Sequence, residues 1–236
     1  MPPLVRLWLP IVATVASMAA AGWPRQPIQA DAAPPWMADL GNGRYRNPVI
    51  IMADGFIGQM MEPVELNDQE VSLPEKPWAV KGTADSRHNL ASSIYLELDD
   101  LEAHQLKMEA KYKMAQQLEP RHEEYETGGA DILLVGYGIS SRILRSAVEA
   151  CRREGLKAGL FRPITAWPFP TRALQEAAAK VQRVLVVELS NGQMVEDVRL
   201  ALNGKVPIDF YSRVGGNVPS VEEIRGEVIA RMSTTV

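Results

Sequence analysis

Three loops hold the residues whose types and spacing could do chemistry. The first is Gly136-Tyr137-Gly138-Ile139-Ser140-Ser141. Its two glycines allow a close backbone approach, and its hydroxyls suit the start of a helix. It lacks the third glycine that a dinucleotide fingerprint places further on, so it reads first as a tight strand-to-helix turn. The second is Arg162-Pro163-Ile164-Thr165-Ala166-Trp167-Pro168-Phe169-Pro170, stiffened by three prolines and carrying two aromatics. Such a loop suits a subunit interface, where aromatics are enriched, or packing on its own domain. The third, Glu188–Asp197, echoes Asp54–Glu62: both place Gly-Gln-Met-x-Glu just after an apolar strand. Glycine serves the turn, and an acid in the first helical turn is favoured by the macrodipole. A duplication and shared helix-start chemistry both explain the echo. The candidate cofactor- or interface-facing residues are therefore Asp54, Gly55, Gln59 and Glu62, then Gly136, Tyr137 and Gly138, then Trp167, Gln193 and Glu196.

No residue is assigned a catalytic role. There is no Gly-x-Ser-x-Gly elbow, no Walker A loop and no His-Glu-x-x-His pair. His88, His104 and His122 are scattered, and no metal site is expected from them. With 236 residues, 46% hydrophobic and 23% charged, the chain has material for a core and is not disordered by composition. Its net charge of −4 gives no electrostatic reason for a nucleic-acid partner. One cysteine, Cys151, can neither form an internal disulfide nor supply the ligands of an iron–sulfur cluster. In its apolar-periodic stretch it reads as a small buried hydrophobe in a reducing compartment.

The elements that must position these loops are clearest from Asp131 onward. Apolar strands are expected at Ile132–Val135, Ala158–Phe161, Val184–Val187 and Ile208–Tyr211. Helices are expected at Ile139–Glu154, Thr171–Val181 and Gln193–Leu202, with a last one opened by a Ser220/Glu223 capping box. Such alternation demands a parallel sheet with right-handed crossovers, and the three loops then lie at its carboxyl ends. Val49–Ala53 reads as another buried parallel strand, followed by a helical turn within Phe56–Met61. A long helix runs to about Glu119 with Asp99 or Asp100 as its cap, and it is either a surface helix or a partner-facing one. The organisation read from the chain is 1–43 leader, 44–66 strand and turn, 67–130 linker and long helix, and 131–233 α/β domain.

The leader differs from the rest. Arg6 precedes an apolar run, Leu7–Ala21, broken by Pro10 and too short for a membrane span. It is either a disordered or foreign leader or a signal peptide, in which case residues 1–30 would export a non-catalytic α/β interaction module.

Residues 45–63 (YRNPVIIMADGFIGQMMEP), GYGISSR at 136–142, FRPITAWPFP at 161–170 and ELSNGQMVEDVRLALNGKVPIDFYSRVGG at 188–216 resemble the alpha-type subunit of 2-oxoacid:ferredoxin oxidoreductases, in its C-terminal part. The branched-chain type, 3-methyl-2-oxobutanoate (2-ketoisovalerate) oxidoreductase, fits ahead of the 2-oxoglutarate type. The resemblance implies an α/β fold: a parallel-sheet, transketolase C-terminal-like domain preceded by a remnant of a thiamine pyrimidine-binding α/β domain at 44–66. It implies a cytoplasmic, multi-subunit enzyme that converts a 2-oxoacid and coenzyme A to acyl-CoA, CO2 and reduced ferredoxin. Thiamine diphosphate with a divalent metal is then bound largely outside this chain, partly on a beta subunit carrying the pyrophosphate-binding domain. Iron–sulfur clusters then sit on other chains or domains, and small ferredoxin-like and gamma subunits are further partners. The activating glutamate lies outside the matched stretch. The chain is therefore expected to be truncated, to act mainly in subunit contact, to bind no cofactor alone and to be inactive alone.

Overall fold

The apolar strands alternate their side chains between two separate cores, and this places four helices. The computed structural model describes residues 13–16, 28–29, 45–61, 64–65, 75–90, 92 and 94–233. It contains the short strands β1 (Ala13–Ala16), β2 (Ile28–Gln29), β3 (Val49–Met52) and β4 (Val64–Glu65). These are followed by helix α1 (Leu98–Leu118), then β5 (His122–Tyr125), β6 (Ile132–Val135), α2 (Gly138–Arg153) and β7 (Ala158–Pro163). The rest is α3 (Thr171–Ala178), β8 (Arg183–Glu188), α4 (Met194–Leu202), β9 (Ile208–Ser212) and α5 (Val221–Ser233).

The main sheet has the order β5-β7-β6-β8-β9. Strands β7, β6, β8 and β9 are mutually parallel. On one face Leu133, Val135, Phe161, Val184 and Val186 pack on α3 and α4. On the other, Ile132, Leu134, Leu160, Leu185 and Val187 pack on α2 and α5. This two-residue alternation inside wholly apolar strands is what a sheet covered on both faces requires. Cys151 is buried in the second core, where burial, with Glu154 adding to it, raises its thiol pKa. The α/β class and its mostly parallel sheet agree with the sequence reading.

Several boundaries differ. β5 is an antiparallel edge strand that periodicity did not reveal, because its sequence His-Glu-Glu-Tyr is polar. It is held by a cross-strand ion pair: the Arg162 guanidinium, nearly buried, donates to Glu123 Oε2 at 2.9 Å. α3 ends at Ala178 rather than Val181. α1 begins at Leu98 after Glu97, with no side-chain cap, so Asp99 and Asp100 sit in its first turn instead of capping it. There they still complement the helix dipole. The capping box is present as read: Ser220 N–H donates to Glu223 Oε2 (2.7 Å), and Glu223 N–H to Ser220 Oγ (3.1 Å).

Val49–Ala53 departs most from expectation. It forms β3, but Ile50, Ile51 and Met52 are 41%, 54% and 51% exposed. A buried parallel strand needs neighbours and helices on both faces, and the partner of β3 among the described residues is the four-residue β1. Its turn is a short 3-10 helix, Ile57–Gln59. Of the leader, β1 and β2 are strands paired with β3 and β4, and the remainder lies outside the described residues.

The chain divides into two units. The described part of the smaller one is 45–49 and 75–119, without 91 and 93. In it the Tyr45 hydroxyl donates to buried Glu119 Oε1 (2.9 Å), and Lys111 Nζ donates to Tyr45 O (3.1 Å) and Asn47 Oδ1 (2.8 Å). Burial, then Arg46 and Lys107, lower the Lys111 pKa. The larger unit holds the main sheet together with residues 50–65.

Candidate functional site

The order in which the parallel strands are connected reverses between β6 and β8. The chain leaves β6 toward β7 on one side and leaves β8 toward β9 on the other. Loops that diverge in this way open a crevice at the carboxyl ends of the strands, where open α/β sheets take ligands. The larger unit has a cavity of about 460 Å³ at this place.

One wall is the end of β3, with Met52, Ala53 and Asp54. Asp54 is the key residue of this wall. Its Oδ1 accepts from Ile57 N–H (2.8 Å), holding the 3-10 turn, and its Oδ2 accepts from Ile139 N–H (2.8 Å) in the first turn of α2. An amide that α2 leaves without an intrahelical partner is thus capped from 85 residues away. The local hydroxyls do not supply this cap: the Ser141 hydroxyl donates back to Gly138 O (2.7 Å). Gly138 adopts φ +56°, and a Cβ there would lie 2.4 Å from Asp54 Oδ2. Glycine is required both by the backbone angle and by the carboxylate. The Arg142 guanidinium also reaches this segment, at 3.2 Å from Met60 Sδ.

The opposite wall begins at the end of β8. Glu188, 1% exposed, folds back over its own loop. Its Oε2 accepts from the Ser190 hydroxyl (2.9 Å), Gln193 N–H (3.1 Å) and Met194 N–H (3.0 Å), and its Oε1 from Val195 N–H (2.8 Å). It is therefore the N-terminal cap of α4. Gly192 makes the turn at φ +101°. The echo between Asp54–Glu62 and Glu188–Asp197 thus acquires a physical content that the sequence reading missed. In both, the strand-ending carboxylate caps backbone amides. The trace in the sequence is an acid directly after each apolar run, Val49–Ala53 and Val184–Val187, which by itself does not tell a cap from a solvent-facing carboxylate.

Leu189, Ser190, Gln193, Met194 and Asp197 complete this wall, and Pro163, Ala166 and Phe169 close the side after β7. Of the candidates read from the sequence, Asp54, Tyr137, Gly138 and Gln193 come together around the cavity. Gly55, Gln59, Gly136, Trp167 and Glu196 do not line it. Gly55 and Gln59 are exposed, and Glu196 is an exposed partner of Arg199 (2.6 Å). Gly136 is a packing glycine: a Cβ there would lie 2.6 Å from Leu144 Cδ1. Trp167 is half-buried in the loop after β7, and Glu62 lies outside the described residues. Asp197 was not singled out beforehand.

Burial raises the Tyr137 hydroxyl above the ordinary tyrosine pKa, and Glu188 and Asp54 push it the same way. Among the described residues no three His, Cys, Asp or Glu are grouped to hold a metal ion. Both strand-end carboxylates have their oxygens committed to backbone amides. These residues do not fit the aminopyrimidine or the metal-pyrophosphate end of thiamine diphosphate. Among the described residues no helix is long and apolar enough to cross a membrane.

Residues 130–224 match the profile of pyruvate:ferredoxin oxidoreductase core domain II. The chain is 42% identical over 182 residues to ketoisovalerate oxidoreductase subunit VorB of Methanothermobacter thermautotrophicus, covering 77% of this chain and 51% of that protein. It is 35% identical over 103 residues to 2-oxoglutarate synthase subunit KorA of Methanothermobacter marburgensis, covering 44% of this chain and 28% of that one. The chain spans about half the length of the first of these relatives. Its fold is shared with 2-oxoglutarate:ferredoxin oxidoreductase from Magnetococcus marinus: the TM-score is 0.58 at 19% identity, over 80% of this chain and 38% of that chain.

Proposed function

We propose that the chain serves in a 2-oxoacid:ferredoxin oxidoreductase of the branched-chain type, as the C-terminal part of an alpha-type subunit; the match of residues 130–224 to the pyruvate:ferredoxin oxidoreductase core domain II profile and the similarity to the ketoisovalerate oxidoreductase and 2-oxoglutarate synthase subunits support this reading. The proposed reaction is oxidative decarboxylation of a branched-chain 2-oxoacid, with the acyl group passed to coenzyme A and the electrons to ferredoxin, in the cytoplasm. Thiamine diphosphate supplies the decarboxylation chemistry and is held by other parts of the complex, among them a beta subunit with the pyrophosphate-binding domain. One cysteine in these 236 residues leaves the iron–sulfur clusters to other chains or domains.

The role assigned to this chain is contact between subunits. Residues 44–66 are the end of a pyrimidine-binding domain, 67–130 a connection, and 131–233 the contact domain. The observation that carries this reading is the apolar face of residues 50–61. Ile50, Ile51, Met52 and Phe56 are exposed, and Met61 is 98% exposed, while Asp54 bonds the same segment to α2. An apolar strand fixed in place but uncovered is a surface made for burial in an assembly.

The test is co-elution with the beta-type subunit that carries the pyrophosphate-binding domain, combined with calorimetric titration of thiamine diphosphate and magnesium. The chain is expected to co-elute and, alone, to bind no thiamine diphosphate. Ile51→Asp should abolish co-elution without lowering the melting temperature of the chain. Tight cofactor binding by the chain alone, or co-elution indifferent to Ile51→Asp, overturns the reading.

A further inference from the structure

One side of α1 is occupied within its own unit. Leu101, His104, Met108, Lys111 and Ala115, spaced three or four residues apart, are half-buried or buried. From this side His104 Nδ1 meets the Tyr95 hydroxyl at 3.0 Å, and Lys111 Nζ donates to Tyr45 O. The other side carries Leu98, Glu102, Leu106, Ala110, Met114 and Leu118, one every four residues, and all six are exposed. The four large apolar members are each about half exposed or more. Single exposed apolar residues are ordinary, but a row of them along a 21-residue helix, about 31 Å long, is a surface. Residues four apart form a ridge that runs obliquely across a helix.

We infer that α1 is a self-association surface, which pairs antiparallel with α1 of a second copy of this chain about a two-fold axis at the middle of the helix. Two helices that both present four-residue ridges interlock at a crossing of about −50°. Leu106 and Ala110 lie at the centre of the row, a bulky residue beside a small one, so the leucine of one copy fits over the alanine of the other. The charges fix the direction. The exposed surface beside the ridge starts acidic, with Asp99 and Glu102, and turns basic at Lys113. Lys113 bonds Glu109 at 2.9 Å, but both side chains are mostly exposed, and such a pair holds its lysine only weakly. Glu102 and Lys113 are equally far from the helix midpoint, about one and a half turns each. An antiparallel partner therefore sets Glu102 of each copy opposite Lys113 of the other, and a parallel partner would set acid on acid and base on base. The contact is isologous, as a two-fold dimer requires. It uses none of residues 50–61, the face assigned above to the beta-type subunit, and it lies in the smaller unit.

The test is sedimentation equilibrium of the full chain between about 1 and 500 μM. The wild type is expected to show a monomer–dimer equilibrium within this range. Leu106→Asp should abolish it. Glu102→Lys and Lys113→Glu should each weaken it about tenfold, because each homodimer then holds two like-charge contacts. An equimolar mixture of these two variants should associate as the wild type does, since the mixed pair regains opposite charges at both contacts. That recovery also guards against misfolding, because two misfolded chains would not restore each other. A wild type that stays monomeric overturns the proposal. So does association that ignores all three variants, as pairing through residues 50–61 would, or a mixture no tighter than either variant alone. Glu102→Lys should leave co-elution with the beta-type subunit unchanged, so the failure of this proposal and the failure of the subunit reading are told apart.

Discussion

Replacing Glu188 tests the account of the site most directly. Four donors converge on this 1% exposed side chain: one hydroxyl and three backbone N–H groups of the α4 start. A carboxylate, with acceptors on both oxygens, satisfies all four. Glutamine keeps the shape but one oxygen only. With that oxygen placed where Oε2 receives three donors, the NH2 group faces Val195 N–H, donor against donor. One lost hydrogen bond costs about 1 kcal/mol, and an unsatisfied buried donor adds about 1 kcal/mol or more. Loss of the negative charge at the helix N-terminus removes up to about 2 kcal/mol. Relief from burying a charge offsets part of this sum. Glu188→Gln should therefore cost about 2–3 kcal/mol. Glu188→Ala, which strips three backbone amides at once, should cost about 4 kcal/mol. For a chain of this size the glutamine variant lowers the melting temperature by about 5–10 °C. Thermal melting by circular dichroism reads the shift, and amide exchange at Gln193, Met194 and Val195 localises it. A Glu188→Gln protein that melts with the wild type and protects those three amides equally would refute the reasoning.

The Asp54–Gly138 contact should show as coupling. Asp54→Ala removes one cap and should cost about 1 kcal/mol. Gly138→Ala should cost about 2–3 kcal/mol in the wild type, from its positive φ plus displacement of Oδ2. In the Asp54→Ala background it should cost only the backbone part, and denaturant melts that show strict additivity count against the contact. The second effect is on alkaline stability. A raised folded tyrosine pKa favours the native state below the unfolded value near 10.0, and that contribution is lost as pH rises from there through the folded value. Tyr137→Phe should therefore flatten the fall of melting temperature between about pH 9 and 11. A profile as steep as that of the wild type would show that Tyr137 is not the group responsible.

Much of the α/β domain is legible in the sequence because its strands are covered on both faces, so each is an unbroken apolar word between turn residues. Ile132–Val135 and Val184–Val187 need no knowledge of their neighbours. The polar strand β5 has no such signature. Its place is set by antiparallel pairing with β7, within which Glu123 meets Arg162, 39 residues away. β3 shows the opposite failure. Its sequence asks for burial, and the described residues leave it exposed. Periodicity reads what a segment needs, not whether the need is met within the chain. The cavity was half visible. The loops that form it were found because strand ends of a parallel sheet must converge, whereas its caps were not. Nothing local distinguishes a carboxylate that will reach Ile139 from one that will face water.

The two caps also divide the work differently. Glu188 stays within one loop, so its bonds stabilise α4 and say nothing about other elements. Asp54, one methylene shorter, holds its own turn with one oxygen and α2 with the other. The same strand-ending acid thus serves as a local cap in one copy of the motif and as a tether in the other. Only the tether needs a glycine opposite, and Gly138 is that glycine. Among the described residues the β3 segment is left largely exposed, and a polar contact at its end ties it to α2. If the exposed face of β3 becomes buried in an assembly, Asp54 is the point through which a partner pressing on that face would bear on α2 and on the cavity behind it.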